Sequence, residues 1–396
     1  MDDLLSSTYL PGLLPNREQS LVLTAALGDE SDALSAYQSW RAGLDIAAPF
    51  DRQVFRLLPL MYDRLRRLGV DDDLTGRLKG AYRQAWARNH RIMNDVRPAL
   101  SSLSKSGIRT LILKGAPLAL AYYQNVALRP MDDVDIAVRR SDVWKALHTL
   151  SEIGFSPSQE ISDSTLQYRH SIDLRTADGR QIDLHWDVIA ECPDLAGERL
   201  FWSDTESIRF LDVETETLKP TWMLLHVIVH GLRWNPEPPV RWIPDAVTLL
   251  NKRMHEINWR LLERAAIDFR LNHRLHLGLD YIRQTFSPAV PQSAVISLRR
   301  ANVDWLQRLE QTTTMADYDV IYKTPLGPAK LVLAEAGRRM HGMSRLESVF
   351  FLMDFLRIRW GGGRWSRLIG QLAWGTYTRS LRNPARNLQA RLSRGR

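Results

Sequence analysis

Through roughly the first hundred residues, apolar positions recur every three or four residues with charges between them. "ALSAYQSWRAGL", "VFRLLPLMYDRLRRLG" and "AYRQAWARNHRIMNDVRPALSSLSKSG" all carry this spacing, which predicts amphipathic helices, the last closing at Gly107. The texture then changes. "IRTLILKG" (108–115) is a short apolar run ended by glycine, "APLALAYYQ" reads as a short helix, and "DVDIAV" (133–138) as a strand. "SDVWKALHTLSEIG" follows as a helix with Ser141 as its N-cap. "QYRHSIDLRTADGRQIDLHWDVI" has two alternating runs around Asp178-Gly179, the signature of a β-hairpin. From Thr221 the helical period returns in "TWMLLHVIVHGLRW", "RWIPDAVTLLNKR", "NWRLLERAAIDFR" and "LNHRLHLGLDYIRQTF", and a further helical block runs to Phe355. The pattern predicts an α+β protein: a helical region over 1–106, a small mixed sheet with helices over 107–215, a second helical region over 216–355, and a tail over 356–396.

Composition narrows the setting. Cys192 is the single cysteine, which excludes an internal disulfide framework and points to a reducing compartment. The opening "MDDLLSSTYLPGLLPNREQ" has no basic stretch followed by an apolar one, so it does not read as a secretory signal. No window reaches the roughly 20 apolar residues of a spanning helix. A cytoplasmic location is expected, with a peripheral position at the inner membrane left open by the tail.

The net charge of +8 is uneven. Residues 357–396 hold ten arginines and no Lys, Asp or Glu, so the preceding 356 residues are slightly negative. A polyanion-binding argument therefore fails for the body and holds for the tail alone. There Trp365, Trp374 and Tyr377 sit among the arginines, a mixture that suits an anionic membrane interface or a nucleic-acid backbone. A solvated extension is the plain alternative.

The candidate chemistry sits in the mixed region. Lys114-Gly115 joins a strand to a short helix, where a glycine lets backbone amides approach a phosphate and the lysine adds charge; an ordinary turn is the bland reading. Asp133 and Asp135 are two apart in the "DVDIAV" run, so strand alternation puts both on one face. Two carboxylates about 7 Å apart repel unless a cation lies between them, and Mg²⁺ is held by one or two carboxylates plus substrate phosphates. Asp132 points the other way and reads as a turn residue. In "QIDLHWD", Asp183 adds a third carboxylate from a hairpin strand, as a ligand or a base, and His185 and Asp187 share its face. Arg129 precedes the acidic run and suits either triphosphate oxygens or an ion pair with Asp132 or Asp133.

The stretch Leu111–Gly154, with its "LKG", "DDVDIAV" and later "DLHW", resembles the nucleotidyltransferase-like proteins of the polymerase-β superfamily, in particular an uncharacterised bacterial branch. The resemblance covers about residues 105–255. It implies a small mixed sheet flanked by helices, and transfer of a nucleoside monophosphate from an NTP, with ATP the first choice, to a hydroxyl with release of pyrophosphate. Residue by residue it maps Gly115 to the phosphate turn, Asp133 and Asp135 to the pair holding Mg²⁺ (or Mn²⁺), and Asp183 to the third carboxylate. The superfamily turn is usually Gly-Ser or Gly-Gly; here Lys114 precedes the glycine and Ala116 follows it. His226, His230, Trp242 and Asp245 match the branch's helical pair. The two histidines read as a brace against the sheet that also lines an acceptor pocket with His185. The acceptor itself stays open among a protein or peptide, a metabolite or sugar, and RNA. A non-catalytic binding protein of the same fold is the rival reading.

Overall fold

The computed structural model describes residues 14–359, apart from 46–47, 194, 234, 236–239, 315–326 and 341–342. The tail expected to meet a membrane or nucleic acid thus lies, from residue 360 on, outside the described residues. Two compact units divide the chain, Met1–Gln307 and Arg308–Arg396.

The first unit is built on one seven-stranded sheet: β1 (Thr110–Leu113), β2 (Asp135–Val138), β3 (Ser156–Pro157), β4 (Ser171–Arg175), β5 (Gln181–His185), β6 (Thr205–Phe210) and β7 (Val213–Leu218). Their order is β3-β4-β5-β2-β1-β7-β6, with β1–β7 and β2–β5 parallel and the other pairs antiparallel. Alternation gives the sheet two different faces. Ile112, Ile136, Leu184 and Ile172 are cross-strand neighbours on one of them. They belong to a single buried cluster with Val96, Leu100 and Leu103 of the Thr75–Lys105 helix and Ala146 and Leu150 of the Val143–Glu152 helix. Burying each such side chain is worth about 1.5–3 kcal/mol, so this face anchors the sheet and leaves the other free for chemistry.

The Asp178-Gly179 hairpin forms as its turn signal requires, Gly179 adopting φ 90. The β6–β7 hairpin was not legible in the sequence. "TESIRF" and "VETETL" carry so much charge that their alternation resembles a solvated segment, and Leu211 turns with φ 57 in place of a glycine. What holds β7 is specific: Arg109 Nε donates to Glu216 Oε1 at 2.6 Å, and Thr217 Oγ1 donates to Ile112 O at 2.9 Å.

One expected register is corrected. The strand begins at Asp135, so Asp133 lies in the loop before it and strand alternation does not govern its direction.

That loop is fixed from below. Asn89, wholly buried in the Thr75–Lys105 helix, donates through Nδ2 to Arg129 O at 2.9 Å, and its Oδ1 accepts from Met131 N at 3.0 Å. An amide in an apolar helix face is tolerable when its donors and acceptors are used in this way.

The second unit contains the helices Gly327–Arg339 and Arg345–Arg359, and Arg338 makes a two-point ion pair with Glu310.

Candidate active site

The chemically active face of the sheet starts with a register. Asp135, the first residue of β2, pairs with Asp183 of β5, and Ala137 pairs with His185. Parallel pairing sets the two carboxylates side by side, and the two-residue period puts the imidazole on their face. His185 Nε2 lies 2.9 Å from Asp135 Oδ1 and 2.8 Å from Asp183 Oδ2, and Ser171 Oγ donates to Asp183 Oδ2 at 3.3 Å. Lys114 follows β1 with φ 55, an uncommon conformation for a residue with a side chain, and its Nζ lies 2.5 Å from Asp135 Oδ1.

These neighbours decide the charge states. Burial pushes the Asp135 carboxyl up, but the Lys114 ammonium and the hydrogen bond from His185 outweigh it and hold the group below its usual range. Asp183 behaves alike, with burial overcome by His185. Burial and Lys114 push His185 down, yet the two carboxylates win and raise it to about 8. For Asp133 the balance is reversed: burial, then Asp135, outweigh the charge of Lys114 and raise it to about 6.

Asp135, Asp183 and His185 each offer one ligand atom, all within 4.8 Å of one another. The two carboxylates suit a divalent cation that takes hard oxygen donors, such as Mg²⁺ or Mn²⁺. The imidazole is not such a donor and, protonated at neutral pH, supplies positive charge to the pair in the free protein. Of these three, Asp135 lines a cleft of about 270 Å³, walled also by Asp133, Lys114, His226, His230 and Arg241.

The other expected residues fall as follows. Gly115 lines the cleft, and a Cβ there would come within 3.0 Å of Met131 Cγ and 3.2 Å of Arg129 Nη1, so glycine makes room for the loop that precedes the aspartates. Arg129 reaches neither Asp132 nor Asp133. It is buried in a forked pair with Asp245, Nε to Oδ1 and Nη2 to Oδ2 both at 2.8 Å, with Tyr123 Oη donating to the same carboxylate at 2.9 Å. Asp187 is drawn off by Arg140. His226 and His230 sit on the Pro220–Gly231 helix with rings 6.1 Å apart. Burial, then Lys114, lowers His226 to about 3, and His230 also falls well below the usual range, so both are neutral.

Asp132, read as a turn residue, does more. Arg56, Arg88 at 2.9 Å and Arg241 at 4.0 Å all converge on it, from three separate stretches of the chain.

The model of the family described as "Uncharacterised nucleotidyltransferase" matches residues 53–287, well over half of the chain. The chain belongs to that family. No curated protein matches it. Among solved structures it is similar to an antigenic nucleotidyltransferase-like protein from Paracoccidioides brasiliensis, at 15% identity over 54% of this chain and 94% of that one, with a TM-score of 0.33.

Sequence reasoning missed several residues of this nucleotidyltransferase-family site. His170, whose ring is 5.6 Å from that of His185, lies just before β4; its burial keeps it neutral. The "RHS" preceding an alternating run was the available signal. Arg56 and Arg241 carried no signal, because each flanks an ordinary helix far from the aspartates in sequence. Among the described residues no helix is long and apolar enough to cross a membrane.

Proposed function

We propose that the protein transfers a nucleoside monophosphate from an NTP to a hydroxyl acceptor, with pyrophosphate leaving. The observation that carries this reading is the register pairing of Asp183 with Asp135, which lines a cleft together with its ion-pair partner Lys114. A divalent cation, Mg²⁺ or Mn²⁺, would be held by Asp135 and Asp183, with Asp133 lining the cleft beside Asp135. When bound it would supply a Lewis acid for the phosphoryl group and lower the pKa of an acceptor hydroxyl.

The protein's own contribution follows from its side chains. Asp135 and Asp183 remain ionised through their cationic neighbours and so are available as ligands near neutral pH. Lys114 is the compact charge next to Asp135 that can turn to a phosphate oxygen once another cation satisfies that carboxylate. Asp183, less buried than Asp135, is the candidate base for the acceptor hydroxyl. His226 and His230 stay neutral and line the cleft, where an acceptor would enter. Arg129 positions the loop through Asp245.

The test incubates purified protein with each α-labelled NTP, Mg²⁺ or Mn²⁺ and acceptor classes in turn: a peptide mixture, sugars, RNA ends. Labelled product that vanishes in Asp135→Asn sustains the reading. A protein that binds no nucleotide at millimolar concentration is instead a binding module on the same fold.

For the arginine-rich tail we propose a peripheral contact with an anionic surface. The described helix leading into it exposes Leu346, Val349, Phe350 and Met353 at helical spacing, which favours a lipid interface over nucleic acid. Sedimentation with phosphatidylserine vesicles, lost on deleting residues 357–396, would support it. The single cysteine is buried and forms no disulfide, which supports a reducing, cytoplasmic setting.

A further inference from the structure

The loop before β2 gathers more positive charge than negative. Three guanidinium groups, from Arg56, Arg88 and Arg241, share the single carboxylate of Asp132. Nearby Arg129 is already neutralised by Asp245, and Lys114 by Asp135. Three cations thus ring one carboxylate at a corner formed where the segment after residue 55, the Thr75–Lys105 helix and the start of the Trp242–Arg253 helix meet the loop before β2.

Arg241 is the member of this group that lines the cleft. Its Nη1 donates to Pro130 O at 2.7 Å and its Nη2 stands 4.0 Å from Asp132, while its buried Nε has no hydrogen-bond partner among the described residues. A buried guanidinium donor without an acceptor costs stability, about 1–3 kcal/mol, unless something supplies an oxygen. The fork geometry of Arg suits the oxygens of a phosphate group. Burial first, then the like charges of Arg129 and Arg56, loosen its proton to about 9, though a guanidinium stays charged at neutral pH.

We propose that Arg241, backed by Arg56 and balanced by Asp132, is an oxyanion site that receives the terminal phosphates of the donor nucleotide. The identity of the donor rests on the nucleotidyl-transfer reading; the oxyanion site rests on the arginine surplus. Asp132 acts here as a counter-charge that holds the arginines together in the free protein and gives way when a polyphosphate arrives. Its removal should then strengthen anion binding, the opposite of what a purely structural tie would do.

The experiment is titration of the full chain with inorganic pyrophosphate by calorimetry, without divalent metal and at fixed ionic strength. Wild type should bind. Arg241→Gln should weaken binding tenfold or more, Asp132→Asn should tighten it several-fold, and Arg209→Gln, on the exposed β6 edge, should leave it unchanged. Thermal melts of each variant separate folding from binding. Should Asp132→Asn unfold, Arg241→Lys, which keeps the charge and loses the fork, serves as the second test and should fall between wild type and Gln. Equal affinity in wild type and Arg241→Gln overturns the proposal, as does absence of pyrophosphate binding in wild type. The two readings fail separately: pyrophosphate affinity lost with Arg241 in a protein that transfers no nucleotide keeps the site and removes the transferase reading, and transfer with unchanged affinity in Arg241→Gln does the reverse.

Discussion

Asp135 of β2 and Asp183 of β5 face each other in parallel register, and one nitrogen of His185 lies within 2.9 Å of both carboxylates. In the free protein His185 and Lys114 thus provide the positive charge that such a pair demands. Without them two buried like charges would drive a carboxyl to take up a proton.

If that pair holds the divalent cation, Asp135→Asn and Asp183→Asn should each lower nucleotidyl transfer roughly 100-fold or more, the scale of a lost electrostatic clamp on a phosphoryl group. Calorimetric titration with Mn²⁺ should show the same order of loss. Asp133→Asn, examined alongside, shows whether the carboxylate outside the trio takes part: an effect as large as that of Asp135→Asn makes it a ligand.

The Arg129–Asp245 pair is buried on both sides. Asp245→Asn strands the guanidinium and should cost about 3–5 kcal/mol in urea unfolding, whereas Arg129→Met with Asp245→Leu should cost less than the sum of the two single changes.

Acid should destabilise the fold through His226. Its pKa is depressed, so the unfolded chain binds a proton near pH 6.5 that the folded one refuses down to about pH 3. The stabilising effect is complete above pH 6.5 and is lost as pH falls toward 3, by about 2 kcal/mol between pH 6.5 and 5 for one such group. His226→Gln should flatten that part of the stability-against-pH curve, as read by urea midpoints at pH 7 and pH 5.

Gly231 lets two helices touch. A Cβ there would lie 2.2 Å from Trp242 Cβ, and both residues line the cleft. Gly231→Ala should therefore destabilise the fold, by about 1–3 kcal/mol, despite alanine's better helix propensity, and a drop in melting temperature would show it.

Much of this protein was readable before any coordinates. The helical period of the N-terminal hundred residues, the Asp178-Gly179 hairpin and the turn after "LILKG" follow from local chemistry, since spacing and turn residues act over a few positions. The carboxylates of Asp135 and Asp183 stood out because charge at the lip of an apolar strand needs a reason. Tertiary structure decided what those groups meet. Whether Arg129 pairs with Asp132 or with Asp245, 116 residues away, depends on how the C-terminal helices fold back on the sheet, and no local pattern encodes that. Asp132 changed from a turn residue into the centre of three arginines for the same reason, and the charge-rich β6–β7 hairpin became a strand pair because Arg109 and the threonine hydroxyls were waiting for it. Sequence determines which side chains carry charge and which face of an element they leave by. The counter-charge each one finds is set by long-range packing, where burial makes every unpaired ion costly and so selects its partner.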